Sequence, residues 1–242
     1  MNEIKRQQSP PSHLWGQDSV QKLVYGLSHD MGAPLRSVVQ FCHLLEKRLE
    51  GRLDEKERYW LQLICQGGIK AQTMVDALLR YSRLSTRHAP IIRFSLQTLV
   101  EAVIKEIVRQ KCQQCLPVRS TITAKLPDVT GSFEHWQLLL SCIIENALLY
   151  QPKNDPTHTP EVQIHVDTHG DKTRITIDDN GIGVSESRWS ELTRPFMRIH
   201  NERDYPGIGM GLSFCDRIAQ LHNAHLSFGH SPLGGLAVSY TY

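Results

Sequence analysis

The sequence predicts an α+β chain in two parts: an N-terminal antiparallel helical hairpin forming a dimeric four-helix bundle, then an α/β sandwich. Three observations predict this. Across residues 20–49 apolar side chains recur at Leu23, Leu27, Met31, Leu35, Val38, Cys42, Leu45 and Leu49, the three-and-four spacing of one helical face. After a break with Gly51 and Asp54, a second such stripe runs through Trp60, Leu63, Ile64, Gly67, Ala71, Met74, Val75, Leu78 and Tyr81. Beyond Pro90 the period changes, and residues 162–166 and 173–177 alternate at period two around Gly170, which reads as a β-hairpin.

Taken in order, residues 1–18, with Gln7-Gln8-Ser9-Pro10-Pro11-Ser12, read as a disordered leader or the stump of a linker. The two stripes occupy residues 19–88 as helices joined by a short turn. A lone hairpin leaves its stripes half covered, so pairing with a second copy is the economical solution. The pattern breaks at 85–90, and residues 89–242 form the second domain. There the sequence predicts a helix over 96–108, a strand over 118–124 and a helix over 133–150 with Ser132 as N-cap. The hairpin follows, then an irregular stretch over 184–206, whose length suggests a functional lid. A helix over 212–221 and a strand pair, 224–228 with 236–240, around Gly234-Gly235 complete the chain.

Composition narrows the partners. The 242 residues are 40% hydrophobic and 21% charged with a net charge of +2, ordinary globular usage with no electrostatic push toward nucleic acid or anionic membrane. The absence of a long apolar run predicts no membrane insertion and a cytoplasmic location. Six cysteines fall mostly in apolar segments and read as free packed thiols. Cys112 and Cys115 form a C-x-x-C, but a second ligand pair of suitable spacing, His222 and His225, is more than 100 residues away. Metal binding by that pair is not expected.

Two regions carry chemistry. His29, Ala33, Arg36 and Gln40 share one face of the first helix, roughly opposite the Leu27/Met31 stripe, so His29 is expected to point outward. Asp30 beside it can accept a hydrogen bond from Nδ1–H and leave Nε2 free to attack phosphorus. Pro34, one turn on, should bend the helix at a cost of ~3 kcal/mol. In the second domain Glu145-Asn146-Ala147 interrupts an apolar helix, and the Asn146 amide oxygen suits Mg²⁺. Asp179 ends a strand, where its carboxylate can accept a hydrogen bond from an exocyclic amine such as adenine's, while Gly181 and Gly183 let backbone approach the ring. Gly207, Gly209 and Gly211, followed by Leu212, open a helix whose N-terminal amides suit phosphate.

With these residues in view, the chain from about residue 20 to 242 resembles the sensor histidine kinases of two-component systems, in their phytochrome-like branch. His29-Asp30 with Pro34-Leu35-Arg36 is similar to the H box, Glu145-Asn146-Ala147 to the N box and Asp179-Asn180-Gly181-Ile182-Gly183 to the first glycine box. Pro195-Phe196-Met197-Arg198 is similar to the F box and Gly207-Ile208-Gly209-Met210-Gly211-Leu212 to the second glycine box. The resemblance implies a homodimeric phosphoacceptor hairpin, a Bergerat (GHKL) domain binding ATP with Mg²⁺, and a response regulator or other receiver domain as partner. It also implies that Asn146 holds the metal, Asp179 reads adenine, Tyr150 flanks the base and Arg198 reaches the γ-phosphate. Asp30 would orient His29 and draw off its proton.

The chain also departs from that pattern. Cys142 and Leu149 stand where many members have Asn and a basic residue, so Lys153 or Arg194 is the candidate for phosphate contact. Ala33 stands where family phosphatase activity generally relies on Thr or Asn, which predicts weak dephosphorylation of the partner. The alternatives are a histidine phosphotransferase or scaffold with a degenerate pocket, and an ATPase of the same fold. The ATPase reading lacks its water-activating glutamate, since a thiol at 142 is a poor general base. The input signal is not visible, and a separate sensor protein is a possible partner.

Overall fold

The computed structural model describes residues 17–86, 89–111, 118–153, 155 and 157–242, apart from the side chains of residues 17–24, 27, 29, 85, 86 and 111. The expected leader lies outside the described residues except at its last two positions. The chain divides into two compact units between Ser82 and Arg83.

The first unit is the helical hairpin. Helix α1 spans Gln17–Arg48 and continues through Pro34, while α2 spans Glu55–Thr86. The start of α2 is fixed by a reciprocal cap. Glu57 N–H donates to Asp54 Oδ1 at 2.7 Å, and Asp54 N–H donates to Glu57 Oε2 at 3.0 Å. Two orphan donors of the first turn are thereby satisfied, with Gly51 at positive φ reversing the chain before it. Where the helices touch, small residues allow close approach: a Cβ on Gly68 would fall 3.0 Å from the Val39 side chain. Cys42 and Cys65 are buried, and the Cys65 thiol lies 3.9 Å from His43 Nε2. The remaining apolar stripe is bare, with Phe41 64% and Trp60 52% exposed beside exposed Leu45 and Ile64.

The second unit is an α/β sandwich. A five-stranded sheet has the order β2-β4-β5-β7-β6, built from β2 (Arg119–Ile122), β4 (Glu161–His169), β5 (Lys172–Asp179), β6 (His225–His230) and β7 (Leu236–Thr241). All neighbours are antiparallel except β2 and β4, which run parallel and are joined by a crossover containing α4 (Phe133–Leu149). Helices α3 (Leu96–Lys111) and α5 (Gly211–Leu221) flank α4. One face of the sheet, with Val162, Ile164, Ile175, Ile177, Val238 and Tyr240, is buried, as are Leu139, Leu140, Ile143 and Ile144 of α4. Ser132 caps α4 as the sequence predicts, accepting His135 N–H at 3.2 Å.

Four elements differ from the sequence reading. Strands β1 (Ile91–Ser95) and β3 (Asp128–Ser132) pair antiparallel in a separate two-stranded sheet. The sequence reading assigns neither an element, because β1 follows Pro90 directly and β3 is a short Asp-Val-Thr-Gly-Ser run with one large apolar side chain. Within the lid, Glu186–Glu191 winds into a 3₁₀ helix, pinned where Trp189 Nε1–H donates to the Val184 carbonyl at 3.1 Å. The helix expected from 212 begins one residue earlier, at Gly211.

Candidate nucleotide site and phosphoacceptor helix

Strand β5 delivers Asp179 at its C-terminal end, where the sheet meets the end of α4. Its Oδ1 accepts Gly181 N–H at 2.8 Å and Leu236 N–H at 3.1 Å, and its own carbonyl accepts Gly235 N–H at 3.0 Å. Oδ2 carries no hydrogen bond among the described residues, so it is the oxygen available to a ligand donor. Burial raises this carboxyl to about pH 6 against the lowering effect of its two backbone donors, and neighbouring Asp178 raises it further.

The glycines after Asp179 serve backbone packing. Ile182 N–H donates to the Tyr150 carbonyl at 2.9 Å, and a Cβ on Gly181 would collide with that same oxygen. Gly183, at φ +61°, lies against the Gly235 backbone. Their neighbours in this structure are therefore the end of α4 and the turn before β7. Asn180 clamps β4, accepting Glu161 N–H at 2.8 Å and donating to the Thr159 carbonyl at 2.9 Å.

Asn146 on α4 and Tyr150 at its C-cap are one turn apart, with Tyr150 N–H donating to the Asn146 carbonyl at 3.0 Å. The Asn146 amide faces the first turn of α5: a Cβ on Gly211 would fall 3.5 Å from Nδ2 and 3.7 Å from Oδ1. Met210 caps α5 without a side-chain hydrogen bond, so the first-turn amides have no side-chain acceptor. Leu212 is buried, and Cys142 is buried at the same contact, 3.7 Å from the Gly211 Cβ position. Cys142 therefore serves as packing beneath the helix terminus. One amide oxygen beside an open helix N-terminus fits a hard cation that takes its other ligands from water and phosphate.

The lid is laced by its own backbone. Phe196 adopts φ +62° and its N–H donates to the Gly209 carbonyl at 3.0 Å; Gly209 sits at φ +74° with the Met197 carbonyl 2.5 Å from its Cβ position. Gly207 has φ +146° with open space at its Cβ position. Arg198 donates to the carbonyls of Gly207, at 2.6 Å, and Tyr205, and lies 3.4 Å from Glu202. The cation expected at the γ-phosphate is thus committed to the lid in this state. Lys153 is exposed, its ammonium 5.0 Å from the Tyr205 ring centre; Arg194 is exposed. Sequence reasoning missed Tyr205 and His200, which form an aromatic cluster with Tyr150.

In the first unit His29 occupies the body of α1, and the orientation expected for its side chain lies outside the described residues. Asp30, Ala33, Arg36 and Gln40 are exposed in the single chain, while Ser28 and Gly32 are buried. Cys112 and Cys115 also lie outside the described residues. Among the described residues, no three His, Cys, Asp or Glu side chains gather as a metal site, and no helix is long and apolar enough to cross a membrane.

Comparison with known proteins matches each unit. Residues 19–87 match the His Kinase A (phospho-acceptor) domain, and residues 131–241 match the Histidine kinase-, DNA gyrase B-, and HSP90-like ATPase family. Cyanobacterial phytochrome A of Nostoc sp. is 28% identical over 222 residues, 91% of this chain and 28% of the relative. Sensor histidine kinase CpxA of Escherichia coli is 29% identical over 225 residues, 90% of this chain and 46% of the relative. The chain thus spans less than half the length of either. Among solved structures, full-length ShkA in complex with AMPPNP aligns with a TM-score of 0.66 at 17% identity, covering 91% of this chain and 45% of that one. Two matched domains in this order, shared with histidine kinases across nearly the whole chain, make it a member of the sensor histidine kinases of two-component systems.

Proposed function

We propose that the chain is the kinase portion of an ATP-dependent protein-histidine kinase that phosphorylates His29 and passes the phosphoryl group to an aspartate of a response regulator. The observation that carries this reading is the pairing of Asp179, whose Oδ2 is open to an amine, with Asn146 facing the uncapped start of α5 in one fold. Such a site has an amine-reading end and an anion-binding end, as an adenosine phosphate requires. Asp179 would read the base, Gly181 and Gly183 would shape the loop beneath it, and Tyr150 would flank the base on its sugar side. The amides following Gly207, Gly209 and Gly211 would hold phosphate, with Phe196 and Leu212 fixing the loop ends.

Asn146 would hold Mg²⁺, which when bound offsets charge on the phosphate oxygens. His29 Nε2 then attacks the γ-phosphorus, the new N–P bond forming as the bond to the bridging oxygen breaks and ADP leaves. Asp30 would orient the ring and accept the Nδ1 proton as the N–P bond forms. Arg198 contributes once phosphate oxygens replace the Tyr205 and Gly207 carbonyls as its acceptors. The bare stripe on α1 and α2 supports a homodimer, and the family supports a cytoplasmic receiver-domain partner and a separate or upstream sensor.

The test is incubation with Mg²⁺ and γ-radiolabelled ATP. The expected product is an acid-labile, base-stable label on the wild type, absent from His29→Ala and transferable to a receiver domain. Label on another side chain, or free phosphate released equally by His29→Ala, overturns the reading.

A further inference from the structure

The His200 ring stands against Tyr150, with centroids 5.4 Å apart, and against Tyr205 at 5.7 Å. Its Nε2 is shielded from solvent and has no hydrogen-bond partner. Buried polar atoms nearly always find partners, so an orphan of this kind calls for a reason. The Gly183 backbone favours the protonated ring, as a carbonyl facing a ring N–H does. With Nε2 unpartnered, that N–H is assigned to Nδ1 and the lone pair to Nε2. Burial and the nearby Arg188 guanidinium both oppose a second proton. Arg188 is not a donor to this ring, being engaged with Glu191 at 3.0 Å and the Ile199 carbonyl at 3.4 Å.

The partner is therefore a hydrogen-bond donor that arrives with the ligand. Position identifies which. Asp179 marks the base end, and Asn146 with Gly211 marks the phosphate end. Tyr150 lies between them, its amide bonded to Asn146 and its carbonyl to the loop after Asp179. Between base and phosphates a nucleotide has its sugar, whose donors are hydroxyl groups. We infer that His200 is a specificity residue of the nucleotide site, accepting at Nε2 a hydrogen bond from a ribose hydroxyl and so favouring ribonucleotides over deoxyribonucleotides. This rests on the nucleotide reading given above and adds the sugar to it.

The experiment measures binding of ATP, 2′-deoxy-ATP, 3′-deoxy-ATP and GTP to the full chain with Mg²⁺ by calorimetry, in the wild type, His200→Phe and His200→Leu. Phenylalanine keeps a ring against Tyr150 and Tyr205 without an acceptor, and the leucine variant keeps the test open should the first unfold. The wild type is expected to prefer ATP over one deoxy analogue by about five- to tenfold, the worth of one hydrogen bond. In the variants that ratio falls to about one through weaker ATP binding, while preference for adenine over guanine persists. A wild type indifferent to both hydroxyls, or a ratio unchanged in the variants, overturns the inference. A wild type that binds no adenine nucleotide overturns the nucleotide reading and this inference with it.

Discussion

Leu236 N–H donates to Asp179 Oδ1 at 3.1 Å, so the carboxylate proposed to read the base also fixes the first residue of β7. Replacement by Asn leaves an acceptor for both backbone donors but removes the charge. Replacement by Ala strands the amides of Gly181 and Leu236, at ~1–3 kcal/mol for each buried orphan. Asp179→Asn is expected to fold and lose ATP affinity, and Asp179→Ala to lose both affinity and melting temperature. Calorimetric binding and thermal unfolding separate the two. The carboxyl titrates at about 6, so ATP affinity is expected to fall as the pH drops below that value, when Oδ2 begins to carry a proton. In the unliganded protein a raised carboxyl works the other way. Its stabilising contribution is complete below the unfolded value of 3.8 and is lost as the pH rises through about 6.

Gly209 is held by two constraints at once. Its φ of +74° disfavours any side chain, and the Met197 carbonyl already fills its Cβ position. Gly209→Ala is expected to cost ~1–3 kcal/mol of local stability. The Phe196–Gly209 hydrogen bond would open and nucleotide affinity would fall, while the α4 and sheet core stays folded. Amide exchange confined to the lid, with an unchanged global midpoint, would check this.

His222 bridges α5 and the sheet, its Nδ1 2.8 Å from the Tyr240 hydroxyl and its Nε2 3.1 Å from His135 Nδ1. Burial, aided by His135, lowers it from 6.5 to about 4, and burial lowers His135 as well. The sign follows directly. Above 6.5 both states are neutral and the contribution is complete; as the pH falls toward 4 the unfolded chain takes up the proton first and stability is lost. Urea unfolding from pH 7 to 4 is expected to show this decline, and His222→Gln to flatten it. Asp179 opposes the decline over the lower part of that window, so the comparison is made between variant and wild type at each pH.

The bare stripe of the hairpin gives a prediction about assembly. Phe41 and Ile64 are 64% and 56% exposed in the single chain, far more apolar surface than a helix pair keeps in water without a partner. Phe41→Glu combined with Ile64→Glu is expected to convert dimer to monomer in sedimentation equilibrium. ATP binding by the second unit is expected to be unchanged.

The sequence makes periodic elements legible and leaves contacts between distant segments hidden. The two long helices and the β4–β5 hairpin follow from side chains spaced at one period over many residues. Strand β3 escapes because its Asp, Thr, Gly and Ser carry turn propensity, and pairing with β1 overrides it. Asp179, Asn146 and Gly211 were readable as chemistry, but the reasons around them were not. That Gly181 yields to the Tyr150 carbonyl, and that Asp179 binds an amide 57 residues away, depends on which strands lie side by side in the sheet. Arg198 was read for its charge, and only its neighbours show that lid carbonyls occupy it.

The turn linking β6 to β7 is tied to Asp179 through Gly235 and Leu236, and it closes on itself through Ser231 N–H and the Gly235 carbonyl at 3.1 Å. Surface turns ordinarily accept inserted residues with little penalty. Here one added residue after Gly234 would shift both amides off the carboxylate, so this hairpin tip is a poor place for a tag, a fused domain or a circular break.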